Sequence, residues 1–355
     1  MEILESLKRY PIDWGKDLRA WDAADELILS QALDLKEKRV LIINDSMGAL
    51  SISLKQYSPV IYTDSFVSFK AITNNSNDEV TILNDLSQLE GVFDFVIVKL
   101  PKNLSYFEDI LMNLTNHMGA SSKLICGSMI KHMAKGHFDL IGKYIGETTT
   151  SLAKKKARLI YSDFKLDKVE SKFPLKISLS SWPHTIINHS NLFSREKLDI
   201  GTRFFLENIP SGEFSDILDL GCANGIVGLE AKRKNPNAKI TFNDESFMAI
   251  KSAKENYEEN FDDVPTFNWS NCHIEKKSDE FDLILCNPPF HQGTTVGDFI
   301  AWQMFKDSYD CLKKGGRIRV IGNRHLGYHV KLKKLFKNST IVTQNKKFVI
   351  IDATK

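Results

Sequence analysis

Two stretches of this chain, one in each half, repeat one order of short apolar strand, polar turn and helix. In the second half the strands read Ile217 to Leu220, Lys239 to Phe242, Phe281 to Cys286 and Arg317 to Ile321. The helices between them read Gly225 to Lys234, Phe247 to Phe261 and Phe299 to Leu312, the last stopped by Gly315-Gly316. Ser339 to Thr343 and Lys347 to Asp352 read as a closing strand pair. The first half offers Arg39 to Ile43, Val60 to Thr63 and Phe93 to Val98 as strands, with Phe66 to Asn74 helical. Apolar residues recur at a period of 2 or 3.6 by turns, as a mostly parallel sheet covered by helices requires. The repeat is one domain long, and 355 residues suit two domains. The expected class is α/β: two tandem Rossmann-like domains over 1–181 and 199–355, with a linker at 182–198. Val169 to Leu179 reads as a late strand or hairpin of the first domain, and Trp182-Pro183-His184 as a turn.

The copies differ where a ligand would sit. In the second, Gly221-x-x-x-Gly225 follows a strand containing Asp219, and glycine lets backbone turn tightly and approach a ligand. A dinucleotide site would want G-x-G-x-x-G, but Cys222, Ala223 and Asn224 intervene, so the pyrophosphate signature is incomplete. Asp219 sets a carboxylate beside the ligand, which suits a cationic amino-acid moiety. Ala223 is tolerable if its φ is negative. Asp244, 23 residues beyond Gly221, can accept both hydroxyls of a ribose or simply cap the helix near Phe247. Asn271, after the segment Thr266 to Trp269, is placed to meet an adenine edge or to be a plain loop residue. In the first copy, Asn44 to Gly48 reads as a turn that has lost its glycines, a scaffold that no longer binds cofactor.

The sharpest motif is Asn287-Pro288-Pro289-Phe290, directly after the buried strand. Asn287 offers a side-chain carbonyl and Pro288 a backbone carbonyl without an N–H. Two acceptors side by side fit an exocyclic NH₂ and localise its lone pair, while two prolines stiffen the turn. Phe290 is placed to stack on a flipped base. The chemistry implied is methyl transfer from a sulfonium donor to a planar amino group, by positioning and electrostatics. The other reading is a Pro-rich turn closing a sheet. The first copy has Lys99-Leu100-Pro101-Lys102 instead.

Net charge is only +2, but Lys123 to Lys176 holds 12 Lys/Arg against 5 Asp/Glu, and Lys306 to Lys347 holds 12 against 2. Lys154, Lys155, Lys156 and Arg158, with Arg324, His325, Lys331, Lys333 and Lys334, are candidate phosphate contacts. A solvated face is the alternative for each run. Cys126, Cys222, Cys272, Cys286 and Cys311 form no C-x-x-C pair and read as buried thiols in a reducing, cytoplasmic setting. No apolar run is long enough for a membrane, and no metal set is evident.

Asp219-Leu-Gly-Cys-x-Asn-Gly225, Asn243-Asp244-Glu245-Ser246, Cys286-Asn287-Pro288-Pro289-Phe290-His291-Gln292 and Gly322-Asn323-Arg324-His325-Leu326 resemble the bacterial ribosomal RNA guanine-N2 methyltransferases built from two tandem methyltransferase-like domains. The large-subunit 23S enzymes for guanine 1835 look closer than the small-subunit 16S enzymes for guanine 1207, on the match from His329 to Phe348. Arg19 to Glu26 and Leu198 to Phe205 also match. The resemblance implies two class I S-adenosylmethionine-dependent domains, the second catalytic and the first an aid to RNA binding. It implies S-adenosylmethionine as donor and S-adenosylhomocysteine as product. By position, Gly201, Thr202, Gly221, Asn224, Gly225 and Asp244 would meet the cofactor and Asn287 to Phe290 the guanine. The partner expected is protein-free 23S rRNA, met by a monomer. A 16S target and a non-catalytic RNA-binding assembly protein are the alternatives.

Overall fold

The computed structural model describes residues 2–11, 18–179, 182, 185–192, 197–272, 278–289 and 295–355, the side chains of 295–298 excepted. It forms two compact units, Met1–Phe173 and Pro174–Lys355.

In the first unit, α1 (Glu2–Ser6) and α2 (Ala23–Leu29) precede β1 (Val40–Ile43), α3 (Ala49–Ser53), β2 (Val60–Tyr62), α4 (Phe66–Ser76), β3 (Ile82–Leu83) and β4 (Phe93–Lys99). Then come α5 (Leu104–Leu114), β5 (Met118–Met129), α6 (Lys135–Tyr144), β6 (Thr149–Thr150) and β7 (Ala157–Asp163). The second unit opens with a hairpin, β8 (Leu175–Ser178) against β9 (Thr185–Asn188), and α7 (Ile200–Glu207). It continues through β10 (Asp216–Leu220), α8 (Ile226–Lys234), β11 (Lys239–Asp244), α9 (Phe247–Glu258), β12 (Thr266–Trp269) and β13 (Phe281–Cys286). It ends with α10 (Thr295–Cys311), β14 (Leu312–Asn323), α11 (Tyr328–Phe336), β15 (Thr340–Gln344) and β16 (Phe348–Thr354).

The two sheets have one topology: β3-β2-β1-β4-β5-β7-β6 and β12-β11-β10-β13-β14-β16-β15. In each, the first five strands run parallel, and the strand beside the fifth returns antiparallel. Even an irregularity repeats, between Phe93 and Phe95 in β4 and between Phe281 and Leu283 in β13. The second sheet is apolar on both faces because helices cover both. Ile217, Leu283, Leu285 and Ile321 pack with Phe205 of α7. Leu218, Leu220, Ile284 and Cys286 pack toward α10 and α11. Strand order reverses between β10 and β13, which opens a crevice at their carboxyl ends.

Four expectations change. The hairpin strand at 175–178 belongs to the second unit, because its partner β9 is fastened to α9. Asn256, fully buried, accepts from Ile187 N–H at 2.7 Å and returns its own N–H to Ile187 O at 2.9 Å. The stretch expected as linker therefore contains ordered strand, and the units part after Phe173 rather than near 181; Pro183 and His184 lie outside the described residues. Gly315-Gly316 lies inside β14, not at a helix end. The first-copy turn keeps one glycine: Gly48, φ +91°, precedes α3 as Gly225, φ +81°, precedes α8. All five cysteines are buried and free.

Candidate active site

Leu220 pairs with Cys286, so Gly221 and Asn287 are the next residues on two adjoining parallel strands. The sheet thus brings the glycine turn and the Asn-Pro-Pro turn to one edge. Gly221 N–H and Cys222 N–H both donate to Asn243 O, at 2.8 and 3.0 Å. The turn runs through three left-handed residues, Gly221 (φ +75°), Ala223 (φ +49°) and Gly225. Ala223 departs from the expected negative φ. Its N–H is held by Asp244 Oδ2 at 2.9 Å, which offsets the ~1–2 kcal/mol that a Cβ costs there. Asp244 Oδ1 accepts from Ser246 N–H at 2.9 Å, while Ser246 itself caps α9. One carboxylate thus ties the turn, the end of β11 and the start of α9 together.

The glycines do different work. A Cβ on Gly225 would lie 2.9 Å from Ala253 Cβ, and one on Gly228 2.3 Å from the Phe242 ring, so both permit close packing of α8. A Cβ on Gly221 would meet only Met304 Cε, at 3.1 Å, among the described residues. Gly221 therefore presents bare backbone toward the crevice. Asn224 spans the turn, donating to Asn188 Oδ1 at 2.9 Å and accepting from Ile226 N–H at 3.2 Å. Cys222 is buried, and burial raises its thiol pKa well above the usual value.

Asp219 is not at the ligand surface. It is 2 % exposed and accepts the Gly228 N–H at 2.8 Å, bracing α8 from beneath. Burial pushes its carboxyl up to about 7; the Gly228 bond lowers it, and Asp244 raises it further.

Two orphaned polar atoms flank the crevice. Asn271, 4 % exposed, has a buried Nδ2 without a partner among the described residues. It follows Ser270, whose N–H donates to Asp244 O at 3.0 Å. Asn287 donates Nδ2 to Thr202 Oγ1 at 3.3 Å, which leaves its buried Oδ1 without a partner among the described residues. Thr202 is held in turn because Asp199 caps α7, accepting from Gly201 and Thr202 N–H. A Cβ on Gly201 would lie 2.9 Å from the Phe348 ring, so glycine there lets α7 seat against β16. Pro288 is buried and Pro289 exposed; Phe290, His291 and Gln292 lie outside the described residues.

In the first unit, register puts Asn44 in the place of Gly221 and Lys99 in that of Asn287. Lys99 Nζ pairs with Asp22 at 2.7 Å and Asp25 at 2.5 Å. Asp22 and Asp25 hold the same places on α2 as Asp199 and Thr202 on α7. A neutral contact in one copy is an ion pair in the other. Asn44 is also engaged, accepting from Tyr106 Oη at 3.0 Å.

The basic candidates separate. Lys313 is paired with Asp216 and Asp282, and Arg317 and Arg319 with Asp352. Arg324, His325, Lys333 and Lys334 are exposed, and Lys331 is partly exposed. Lys154 to Lys156 are exposed at the β6–β7 tip, although Lys155 reaches Glu26 at 2.6 Å; Arg158 is half-buried. The sequence alone assigns no role to Lys346 and Lys347, exposed at the equivalent β15–β16 tip. Lys156 O accepts from Ile130 N–H as Lys347 O accepts from Arg324 N–H. The internal repeat is the signal that could have found them.

Residues 3–166 match the RLMG N-terminal domain family and residues 183–352 the methyltransferase small domain family. A ribosomal RNA large subunit methyltransferase G of Pseudoalteromonas translucida is 41% identical over 99% of this chain and 96% of its own length. That of Klebsiella pneumoniae strain 342 is 42% identical, with the same coverage of each. The chain belongs to the large-subunit ribosomal RNA methyltransferase G family. Among solved structures, the T. thermophilus 16S rRNA N2 methyltransferase for guanine 1207, in complex with AdoMet and guanosine, has a TM-score of 0.78. It is 16% identical, over 94% of this chain and 92% of its own, which speaks to fold: two tandem class I methyltransferase domains.

The Asp219 carboxyl binds its proton more tightly in the folded state than at its ordinary value of 3.8. Stability is therefore fully present below about 4 and falls as pH rises toward about 7. Asp219→Asn keeps an acceptor for Gly228 and removes the titration. Denaturant unfolding of this variant should depend less on pH between about 4 and about 7 than wild type.

Proposed function

We propose that this chain methylates the exocyclic N2 amine of one guanine in 23S rRNA, with S-adenosylmethionine as donor. The observation that carries the reading is the buried Oδ1 of Asn287, unpartnered among the described residues, one strand away from the bare backbone of Gly221. The residues fit the donor: Gly221 leaves room for backbone approach, Asp244 borders the turn, and Asn271 keeps a free N–H donor for an adenine ring nitrogen. When bound, the donor supplies an electrophilic methyl on a sulfonium. Asn287 accepts one amine hydrogen and the Pro288 carbonyl the other, which holds the nitrogen lone pair toward that methyl. Thr202 fixes the amide so that oxygen rather than nitrogen faces the amine. The amine gives up its surplus proton to water after transfer, so no side chain is assigned as base. Phe290 is the stacking residue, and the enzyme acts as a monomer in the cytoplasm.

The relatives' names support a large-subunit target; guanine 1835 rests on the motif resemblance from His329 to Phe348, and protein-free RNA on the need to unstack the base. The first unit aids RNA binding without catalysis: the Lys99–Asp25 ion pair fills the place where the second unit keeps an open acceptor. Lys154, Lys155, Lys156, Arg158, Arg324, His325, Lys331, Lys333, Lys334, Lys346 and Lys347 form the phosphate-contact set.

Incubation with labelled donor and naked 23S rRNA, naked 16S rRNA or assembled large subunits should yield N2-methylguanine at one site in naked 23S rRNA. Methyl on 16S rRNA moves the target to the small subunit, and N6-methyladenine overturns the base. Asn287→Ala should cut turnover at least ~100-fold, with donor affinity nearly kept; a loss under ~10-fold makes Asn287 structural. Calorimetric titration should give one donor site per chain, and two sites would refute the closed first copy. Replacing Lys154, Lys155 and Lys156 by Gln should reduce the salt slope of RNA binding by roughly one unit for each phosphate no longer neutralised. An unchanged slope returns that run to the solvent.

A further inference from the structure

Asn323 ends β14, the strand beside the Asn-Pro-Pro turn, at the same carboxyl edge. It is 6 % exposed, and its buried Oδ1 has no partner among the described residues. Its local role is empty. It holds the N-cap position of the short helical turn Arg324–Leu326 without a side-chain capping bond, although Asn at such a position ordinarily accepts from the turn's N–H groups. A buried acceptor left unmade costs ~1–3 kcal/mol, so it is a group that waits for a donor.

The face is the active one. Side chains alternate along a strand. Ile321 packs with Leu285 and with Phe205 of α7, and Gly322 faces Tyr328 on the other side. Asn323 therefore shares the face of Ile321, and it pairs with Phe348, the ring against which Gly201 seats. Asn287 follows Leu285 by two residues and touches Thr202 on the same helix. Cys286 pairs with Val320, so Asn287 is level with Ile321 and Asn323 stands two residues farther out, on the neighbouring strand. The first copy supplies a control. There the residue in register with Asn323 is Met129, as Lys99 is in register with Asn287. Neither place holds an amide in the first copy.

We propose that Asn323 selects guanine over adenine, its Oδ1 accepting the N1–H and its Nδ2 donating to O6. This rests on Asn287 holding the exocyclic amine. Beside that amine guanine presents a ring N–H and then a carbonyl, a donor–acceptor pair complementary to a carboxamide. Adenine, held by N6, presents a bare ring nitrogen and then C2–H. An amide turned to donate to that nitrogen would leave Oδ1 against carbon, still unpaired. Sites built around a hydrogen bond reject analogues that lack it far more strongly than apolar pockets reject a change of size.

The test uses the full chain with two 23S rRNA transcripts, one with guanine at the methylated site and one with 2-aminopurine. The analogue keeps the N2 amine but lacks the N1–H and O6. Wild type should favour guanine by at least ~100-fold in kcat/KM. Asn323→Leu should lose most of that preference while S-adenosylmethionine affinity stays within about threefold. Asn323→Ala, which removes the same carboxamide with less bulk, should lose it likewise, and it keeps the test open if the leucine variant fails to fold. A leucine or alanine variant that binds donor normally and still favours guanine as wild type does overturns the role. Wild type that methylates neither transcript at N2 overturns the underlying reading instead.

Discussion

The carboxylate of Asp244 is the interaction on which the second unit's edge depends. The turn after β10 crosses three left-handed residues, one of them an alanine, and a free chain would not dwell there. Asp244 holds the alanine's N–H and the first N–H before α9 at once. From below, Asp219 holds α8; from the side, Asn256 gives a further N–H to Asn224 O at 2.9 Å. The crevice is thus walled by backbone that three polar side chains keep from relaxing, and bare backbone is what lets a ligand come close.

Duplication shows which parts of the architecture serve shape and which serve chemistry. Strand order, antiparallel return, the left-handed glycine before α3 and α8 and even the strand irregularity are common to both units. What differs is confined to the carboxyl edge: Asn44 for Gly221, Lys99 for Asn287, Met129 for Asn323. A parallel sheet with covered faces needs its apolar core, so drift in the core is constrained. Its loop edge is free to exchange an open polar site for an internal ion pair.

The central strands were legible because each is mostly apolar and bounded by turn residues, and Phe281–Cys286 falls where the sequence puts it; β3, β5, β6 and β7, shorter or richer in polar residues, were not legible. The Asn-Pro-Pro turn stands beside the glycine turn at one sheet edge, a placement that the strand before each already implies. Less was visible where a residue's meaning depends on a distant partner. Asp219 has the right spacing for a ligand contact, yet the Gly228 N–H claims it. Ala223 was judged by its own Cβ, when a carboxylate 21 residues on decides its backbone. The 175–178 strand was given to the wrong unit because Asn256, a lone polar residue on a helix face, carries no local sign of the hairpin it fastens. Thr202 was placed among the cofactor contacts, and its hydrogen bond to Asn287 spans 85 residues of sequence.

The placing of β16 bears on how firmly the site is held. Among the strands it is synthesised last, yet it lies between β14 and β15 and brings Phe348 against Gly201, the residue that seats α7. Arg319 clamps it in place with two bonds to Asp352, each 2.7 Å. Without β16 the helix that carries Thr202 has no ring to seat against at Gly201. Loosening the Arg319–Asp352 clamp would therefore slacken the Phe348 ring against Gly201 and, through α7, the Thr202 that holds Asn287.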